Sequence, residues 1–588
     1  MLSSKRNGES RRVARLCCLM VALVLPVIYL VTLIAKYGVN VPYADEFTVA
    51  PLLAKAHDHT VTLTDLFQQH NEHRYFFSRL LFIAFAWLGQ GDLRLEMFFS
   101  VFLTVLVSIS LWLLVRRSIP GSTGQSLVIV FLFNLLLFSP VQAENWMWGF
   151  QFPLYFCNFL FCCGLLAATS ELHIAGKFSA CLILAFVATF SFGGGVLLWV
   201  LTFPIALVLH QEMSWKSRIA LAVAWGGAAL ATMALYFFHY VKPPHHPSIA
   251  ASRNPLDYFS YVTTFLGADL SRASRTEPIL QAAVVGTCLL VLWGVAVVYT
   301  IRYRRDRILA KRMLPWLALG GYAVLNALLA AAARIGLGVN QALESRYTSF
   351  SVYLGVAVIA LVALLKREVQ SRDTPTRFQG VIVRLETILL TAFAVCSLIA
   401  FSWGHGTIID IHRTRLVGKG ALLFSNVMES GPIHEYYLVA DAPEARAYAN
   451  TLDSIGLLHP RMLPTAEISK LNTKAEKNSG FLDILTTSGA ICSVNGWAVL
   501  PKTGTRAHCI ILSYDDPSRG PIAFRVADQI HNRPDVAAVL HNPAAEESGW
   551  SCHFDRSSLP LGDLVVRAWA FDANRAILYQ LGTSKLVH

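Results

Sequence analysis

Four short segments of the chain combine residue types that can do acid–base or ligand-binding chemistry. They are YADEF (43–47), HNEHR (70–74), ENWMWGFQ (144–151) and ESRY (344–347). When the hydrophobic stretches are threaded through a bilayer with the basic loops inside, all four segments fall on the opposite side. We therefore expect one site at one membrane boundary rather than four unrelated loops.

The first segment supplies a candidate base. Asp45 and Glu46 lie in a polar loop that follows the first hydrophobic span and also carries several histidines. A carboxylate held near imidazole and guanidinium groups can remove the proton of a hydroxyl, and it can also bind a divalent cation. Asp45 and Glu46 are therefore candidate catalytic or metal-binding residues, and a pair of solvated loop acids is the alternative.

HNEHR places two imidazoles, an amide, a carboxylate and a guanidinium in five consecutive residues. His70 and His73 are spaced i and i+3, so one helical face could present both. We expect His70, Asn71, Glu72 and His73 to position a substrate or support acid–base chemistry. His70 and His73 are also candidate metal ligands. Zinc is disfavoured because no third ligand follows at a recognisable spacing, which leaves Mg, Mn or Ca as the favoured ions.

ESRY begins a hydrophobic span, so Arg346 is expected at the level of lipid phosphates. Its planar guanidinium suits two-pronged phosphate binding. Arg334 ends the preceding span and lies across the same short loop, and two arginines at one loop favour an anionic ligand. Tyr347 is a candidate substrate-positioning residue. The alternative for Arg346 is an interfacial arginine that extends to the headgroups.

ENWMWGFQ is richer in polar groups than an aromatic belt at a membrane interface requires. Glu144, Trp146, Trp148 and Gln151 could form a surface that stacks on a sugar and bonds to its hydroxyls. The segment SFGGG (191–195) is a glycine-rich break between two predicted spans, at the outer face. It is either a tight hairpin or a place where the backbone approaches a ligand closely.

The composition indicates a polytopic α-helical membrane protein. The chain has 588 residues, of which 55% are hydrophobic and only 15% charged, and its mean hydropathy is +0.50. The net charge of +12 comes from short basic loops between hydrophobic spans. This is the pattern of cytoplasmic loops, so we attribute the charge to topology and expect no nucleic-acid partner.

The alternation of apolar stretches and basic loops predicts about eleven spans, with the N-terminus inside and the C-terminus outside. The apolar stretch 76–88 is short and is expected along the outer interface. The predicted spans are 16–34, 97–115, 126–139, 153–170, 178–192, 196–210, 219–238, 279–300, 314–333, 348–365 and 385–403.

The composition changes after residue 403. Residues 404–475 are predicted to form an extracytoplasmic linker with a helical segment. Residues 476–588 contain short β-rich runs separated by Asp, Pro and Gly turns, which predicts an all-β sandwich domain on the outer side. This domain holds Cys492, Cys509 and Cys552. An oxidising compartment would permit one disulfide among them, and the sequence does not select the pair.

The arrangement of these motifs resembles the GT-C superfamily of membrane glycosyltransferases, and more narrowly a bacterial multispan group with DEF, HNEHR, WxWxxQ and SRY motifs. The resemblance covers the layout of residues 15–403. It implies a polyprenyl-phosphate sugar donor, Asp45 as base with Glu46 as second candidate, and donor phosphate binding by Arg346 and Arg74. The chain departs from some members in having HNEHR where they carry a Lys-Pro-Pro segment.

The resemblance implies a transferase for a cell-envelope glycan or lipid acceptor, in contact with membrane lipids at the outer face of a bacterial inner membrane. Direct attack of the acceptor hydroxyl on the anomeric carbon would invert that carbon. Two alternatives from other classes stay open. A transporter or flippase of lipid-linked sugars should show paired broken helices or an internal repeat. A non-enzymatic scaffold would bind glycan through its sandwich domain.

Overall fold

The computed structural model describes residues 2–119, 121–210, 212–244, 247–248, 251–252, 254–271, 277–371, 376–428, 438, 442–476, 479–527 and 529–587. Helices dominate the chain up to residue 424, and strands dominate after residue 473. A polytopic helical protein with a C-terminal β domain is therefore confirmed as the fold class.

The helices begin where apolar runs follow capping residues. Ser122, Asn254 and Asp306 each accept a hydrogen bond from a backbone N–H of the first helical turn that follows them, which satisfies a donor that the helix itself leaves unpaired. The helices are α1 Leu2–Tyr37, α2 Ala50–His57, α3 Leu63–Phe67, α4 Phe76–Leu88, α5 Arg94–Ser118, α6 Thr123–Leu137, α7 Ala143–Trp146, α8 Phe152–Ala168, α9 Ile174–Thr189, α10 Leu198–Leu201, α11 Phe203–Leu209, α12 Trp215–Tyr236, α13 Pro255–Gly267, α14 Pro278–Arg302, α15 Arg307–Arg334, α16 Ser345–Ser371, α17 Thr376–Phe424, α18 Ala442–Ser454 and α19 Pro534–Val539.

Nine helical segments within the described residues are long and apolar enough to cross a bilayer, and the chain is a multi-pass membrane protein. Eleven spans were predicted. The two additional ones correspond to the shorter apolar segments Ile174–Thr189 and Gly193–Leu209. The predicted short stretch 76–88 is α4, a helix of 13 residues. The number of crossings therefore depends on how these short segments lie.

The chain divides into two compact units. The first, here called the helical unit, consists of Met1–Gly38, Thr62–Leu81 and Arg94–Ile409. The second, the sandwich unit, consists of Val39–Val61, Phe82–Leu93 and Asp410–His588. The predicted boundary at residue 403 lies inside α17, whose last part belongs to the sandwich unit. The composition changes near residue 403, but the helix itself continues to Phe424.

In the helical unit, α15 packs against α16 and α13 packs against α14. Its interior contains polar side chains that pair with one another, since an unpaired polar group in apolar surroundings is costly. Trp316 Nε1 donates to Ser118 Oγ at 2.8 Å, and Tyr322 Oη donates to Asn158 Oδ1 at 2.9 Å. Because α15 and α16 meet through a short connection, Arg334 and Arg346 lie at the same end of this helix pair.

Two sheets form the sandwich, and their strands pair antiparallel except for the short β3, which pairs parallel with β11. One sheet has the order β3-β11-β10-β6-β7 and the other β4-β5-β9-β8, while β1 and β2 form a separate hairpin in the helical unit. The strands are β1 Gln69–His70, β2 His73–Arg74, β3 Thr473–Lys474, β4 Gly480–Ser488, β5 Ile491–Ala498, β6 Cys509–Asp516, β7 Gly520–Ala527, β8 Gln529–His531, β9 Gly549–Asp555, β10 Leu564–Asp572 and β11 Ile577–Val587.

One apolar core joins the inner faces of the two sheets. It includes Leu482 and Val494 from one sheet and Leu512, Val566 and Tyr579 from the other, so the predicted sandwich is confirmed. A second core lies between the five-stranded sheet and the last turns of α17, with Phe424 against Phe571 at 5.3 Å between ring centroids.

The cysteines of this domain are structural. Cys492, Cys509 and Cys552 are all buried, and the disulfide that the sequence permitted is not formed among them. Cys509 contacts α17 closely, because a Cβ added at Gly420 would lie 2.3 Å from its sulfur. The thiols therefore act as small apolar core groups.

Candidate functional site

HNEHR forms a β-hairpin rather than a helix. β1 and β2 pair antiparallel with His70 opposite His73, and Asn71 turns the chain with φ of +48°. The prediction that one helical face presents both histidines is therefore wrong. An i, i+3 spacing also fits the two ends of a two-residue turn, and asparagine tolerates the left-handed conformation that this turn requires.

His73 connects the hairpin to the glycine-rich segment. Its Nδ1 accepts a hydrogen bond from the Gly193 N–H at 3.1 Å, and its ring stacks on Phe192 with centroids 4.6 Å apart. A Cβ at Gly193 would lie 2.6 Å from His73 Nδ1, so glycine is required for this approach. SFGGG thus makes a close backbone contact with HNEHR, while Nε2 of His73 faces Glu72 Oε1 at 3.8 Å.

Glu72 forms an ion pair with Arg334, one of the residues predicted to bind phosphate. Arg334 Nη2 donates to Glu72 Oε1 at 2.6 Å, and both side chains are partly exposed. The Tyr236 hydroxyl donates to the backbone oxygen of Glu72 at 2.6 Å. Burial raises the pKa of nearby Tyr240, the Glu72 carboxylate raises it further, and Arg334 acts in the opposite direction. The sequence did not single out Tyr240.

Arg346 lies beside the ENWMWGFQ segment. Its Nη1 is 3.7 Å from Glu144 Oε1, which is longer than a normal hydrogen bond. The Asn145 side chain donates to the backbone oxygen of Arg346 at 2.9 Å and to Ser349 Oγ at 2.6 Å. The two segments, far apart in sequence, are therefore fixed against each other at the start of α16.

A tyrosine that the sequence reasoning missed links the two arginines. Burial raises the pKa of Tyr261 in α13, the adjacent Tyr347 raises it further, and Arg334 and Arg346 both act to lower it. Tyr347 stacks on Phe265 of the same helix, with centroids 5.2 Å apart. Both arginines therefore act electrostatically on the same tyrosine. A tyrosine in an apolar run gives no signal in sequence that could have identified it.

Aromatic rings join the segments further. His70 and Tyr75 both contact the Phe150 ring, at 5.4 and 5.7 Å between centroids, and Phe192 contacts Phe350 of α16 at 5.8 Å. HNEHR, ENWMWGFQ and ESRY therefore lie together in the helical unit, as predicted, and SFGGG joins them. The fourth segment of the predicted site, YADEF, belongs to the sandwich unit.

The predicted sugar-stacking residues lie in the interior. Trp146 is fully buried, stacks on Tyr155 at 4.5 Å and donates its indole N–H to Ser139 O at 2.9 Å. Trp148 is 4% exposed, and Gln151 is half-buried at the end of a 3₁₀ turn. The tryptophan rings offer no open face to a sugar in this conformation.

Arg74, predicted to bind phosphate, is buried and bonds to the backbone. Nε donates to Tyr236 O at 2.5 Å, Nη1 to Phe67 O at 2.7 Å, and Nη2 to Phe238 O. Burial lowers its pKa. Three of its five N–H donors therefore join β2, which carries Arg74, to α3 and to the end of α12.

Asp45 and Glu46 belong to the sandwich unit, where they lie in the 3₁₀ helix Ala44–Val49. Glu46 is 6% exposed, and its Oε2 accepts the Tyr43 N–H at 3.1 Å. The Tyr43 ring carries the Arg415 guanidinium 4.2 Å from its centroid. Asp45 is half-buried, and its backbone oxygen accepts from Thr48 Oγ1 at 2.6 Å.

Among the residues that the structure describes, no three His, Cys, Asp or Glu side chains converge in a way that could hold a metal ion. One nitrogen of His73 is already an acceptor for Gly193. A metal role for Asp45, Glu46, His70 and His73 stays a prediction.

Comparisons with protein-family models, with curated proteins and with solved structures found no match. By its fold the chain is a multi-pass helical membrane protein with a C-terminal β-sandwich.

Proposed function

We propose that the protein is an integral-membrane glycosyltransferase that uses a polyprenyl-phosphate-linked sugar as donor. The acceptor would be a cell-envelope glycan or lipid, at the outer face of a bacterial inner membrane. One observation carries the proposal. The Arg346 guanidinium lies 3.7 Å from the Glu144 carboxylate, too far for a hydrogen bond, whereas Arg334 is hydrogen-bonded to Glu72. Both arginines act on the pKa of the same residue, Tyr261.

The phosphate assignment follows from what the other arginines do. Arg74 donates to three carbonyl oxygens, and Arg334 bonds to Glu72 at 2.6 Å. A donor phosphate would therefore bind primarily to the Arg346 guanidinium, with Arg334 contributing its field. Both groups can stabilise the charge that develops on the leaving phosphate.

Asp45 is the proposed base, and this part rests on the sequence. Glu46 caps the 3₁₀ helix through the Tyr43 N–H, which favours Asp45 as the carboxylate that takes a proton. Asp45 would accept the proton of the acceptor hydroxyl, whose oxygen attacks the anomeric carbon. The bond from this carbon to the phosphate oxygen breaks, and the polyprenyl phosphate leaves with the electron pair. A single displacement inverts the anomeric carbon.

A transporter of lipid-linked sugars is kept as second candidate because one apolar segment is broken. Gly193–Leu197 is a 3₁₀ turn, and α10 and α11 are separated at Thr202, which has φ of −116° and ψ of −85°. Discontinuous helices beside polar groups are typical of transporter binding sites. This break follows directly on the contact between Gly193 and His73.

The decisive experiment compares envelope glycans of deletion and complemented strains by mass spectrometry, together with transfer by the purified protein in nanodiscs. We expect a glycan that lacks one residue in the deletion strain, and transfer from lipid donor to acceptor when both are on the same face. A normal glycan profile would contradict the transferase. A glycan defect without transfer by the purified protein would favour the transporter.

The proposed sidedness has its own test. Reporter enzymes fused at the C-terminus should be active only outside the cytoplasm. Cytoplasmic activity would remove the argument that the four motifs share the outer face.

A further inference from the structure

A cleft of about 770 Å³ lies on the side of the HNEHR hairpin formed by α3, β1 and the segment that follows α12. We call it the α3–hairpin cleft. Seven residues between Leu63 and Arg74 and six between Phe238 and Pro244 line it, and Asp65 and Glu72 are not among them. All of these residues belong to the helical unit. Neither the proposed transfer reaction nor its candidate base uses this cleft.

The cleft is held in shape by specific bonds. Gln69 Nε2 donates to Val241 O at 2.6 Å, and Gln69 Oε1 accepts the Val241 N–H at 2.9 Å. Gln69 thereby bonds to both backbone groups of Val241, as a neighbouring strand would. Arg74 fastens a second point, since it binds the carbonyls of Phe67 and Phe238 on the two walls. Side-chain hydrogen bonds therefore connect the two walls and fix the shape of the cleft.

The cleft exposes large apolar side chains beside a membrane boundary. Leu63 is 75% exposed, Phe238 64% and Val241 71%. Phe238 and Val241 follow directly after α12, which ends at Tyr236 and is long and apolar enough to span a bilayer. Contiguous apolar groups of this kind mark interaction surfaces, and at a membrane interface the partner with matching chemistry is an amphiphile.

The charge of the lining selects an anionic amphiphile. Arg74 and Lys242 line the cleft, and none of the lining residues is Asp or Glu. Arg74 is 7% exposed and bonds only to neutral carbonyl oxygens. Buried charges are ordinarily paired. Within the described part of the chain Arg74 makes no ion pair, and burial lowers its pKa. An anion in the cleft would supply the missing negative charge.

We propose that the α3–hairpin cleft binds an anionic phospholipid of the bilayer. Lys242, which is exposed, contacts the headgroup phosphate, and the field of Arg74 adds to this attraction. Leu63, Phe238 and Val241 contact the upper part of the acyl chains. The site is distinct from the proposed phosphate site at Arg346, and it does not depend on the protein being a transferase.

The test uses the full chain in phosphatidylcholine nanodiscs that contain a minority of phosphatidylglycerol. Electron paramagnetic resonance of spin-labelled lipids measures how much of each lipid is immobilised by the protein. One basic residue near the surface contributes about 1 kcal/mol to the binding of anionic lipid, or about a fivefold preference. We expect about this preference for phosphatidylglycerol in the wild type, most of it lost in Lys242→Gln.

The matched control is Lys216→Gln, which removes an exposed lysine at the other end of α12 and should keep the preference. Val241→Asp places a carboxylate in the cleft and should abolish it as well. The proposal is overturned if the wild type shows no preference, or if Lys242→Gln retains it. Displacement of phosphatidylglycerol by an equimolar isoprenyl monophosphate would also overturn it, because the cleft would then belong to the sugar donor.

Discussion

Arginine–carboxylate pairs differ between the β-sandwich domain and the helical unit. Arg567 contacts Asp515 through two prongs, with Nε 2.8 Å from Oδ1 and Nη2 2.7 Å from Oδ2. Arg346 approaches Glu144 only to 3.7 Å. Exposure does not explain the difference, because the side chains are 31% and 29% exposed in the first pair and 38% and 18% in the second.

The difference shows which charges hold the fold and which remain open to a ligand. A two-pronged pair uses the planar geometry of the guanidinium fully, so Arg567 fixes β10 to β6. A pair at 3.7 Å makes no hydrogen bond, so Glu144 does not occupy the N–H donors of Arg346. We therefore expect replacement of Arg346 to impair ligand binding and replacement of Arg567 to affect only the fold.

The largest effect on turnover is expected at Asp45, which is adjacent to Glu46 in the sandwich unit. Asp45→Asn keeps the side-chain volume but removes the proton acceptor, so turnover should fall at least ~100-fold. Glu46→Gln can still accept the Tyr43 N–H and should retain most activity. Sugar transfer by purified protein from a defined lipid donor measures both.

Equal membrane levels of the two variants serve as the folding control. Normal turnover in Asp45→Asn together with a large loss in Glu46→Gln would reverse their roles. It would also contradict the assumption that Glu46 has a structural role because it accepts a backbone hydrogen bond.

The second effect concerns a buried titratable group of the sandwich. Burial lowers the pKa of His508 to about 4, while Asp572 opposes this shift and His412, Lys419 and Arg506 support it. The ordinary histidine pKa is higher, so between about pH 6.5 and 4 the unfolded domain binds a proton that the folded domain does not. The free energy of unfolding therefore falls as the pH falls through this window, by roughly 3 kcal/mol in total, and the contribution of His508 is constant below it.

Hydrogen–deuterium exchange of β6 and β10 in the full protein, corrected for intrinsic exchange rates, measures this slope. His508→Asn can still accept the Ala573 N–H that His508 Nδ1 accepts at 3.1 Å, and it should remove the slope between pH 6.5 and 4. Protection that is independent of pH in the wild type would show that His508 is not held neutral by the fold.

The third effect concerns donor binding by Arg346, whose donors Glu144 does not occupy. Arg346→Lys keeps the charge but loses the planar fork, so the Michaelis constant for the lipid donor should rise about tenfold, which is the loss of about 1.4 kcal/mol. Arg312→Lys is the matched control. Arg312 lies at the opposite end of α15, 3.4 Å from Glu368 of α16, with a similar exposure of 33%. Unchanged donor dependence in Arg346→Lys would make Arg346 an interfacial arginine.

Much of this architecture could be predicted from sequence because it depends on local periodicity. The apolar spans, the short helix 76–88 and the sandwich follow from hydropathy and turn residues, and the grouping of HNEHR with ENWMWGFQ and ESRY follows from topology. The structural role of Arg74 could not be predicted, because one of its hydrogen-bond acceptors, Tyr236 O, is 162 residues away in the sequence. The burial of Trp146 and the effect of two arginines on the pKa of Tyr261 also depend on tertiary packing.

The smallest effect is expected for the structural arginine itself. Arg567→Lys retains the charge opposite Asp515 but cannot form two parallel bonds. Because the pair is partly exposed, its replacement should cost only about 0.5–1 kcal/mol. Exchange protection of β10 should fall by a corresponding few-fold, while sugar transfer and donor dependence stay at wild-type values. A donor effect as large as that of Arg346→Lys would mean that pair geometry does not separate structural from available charges, and the phosphate assignment would lose its main support.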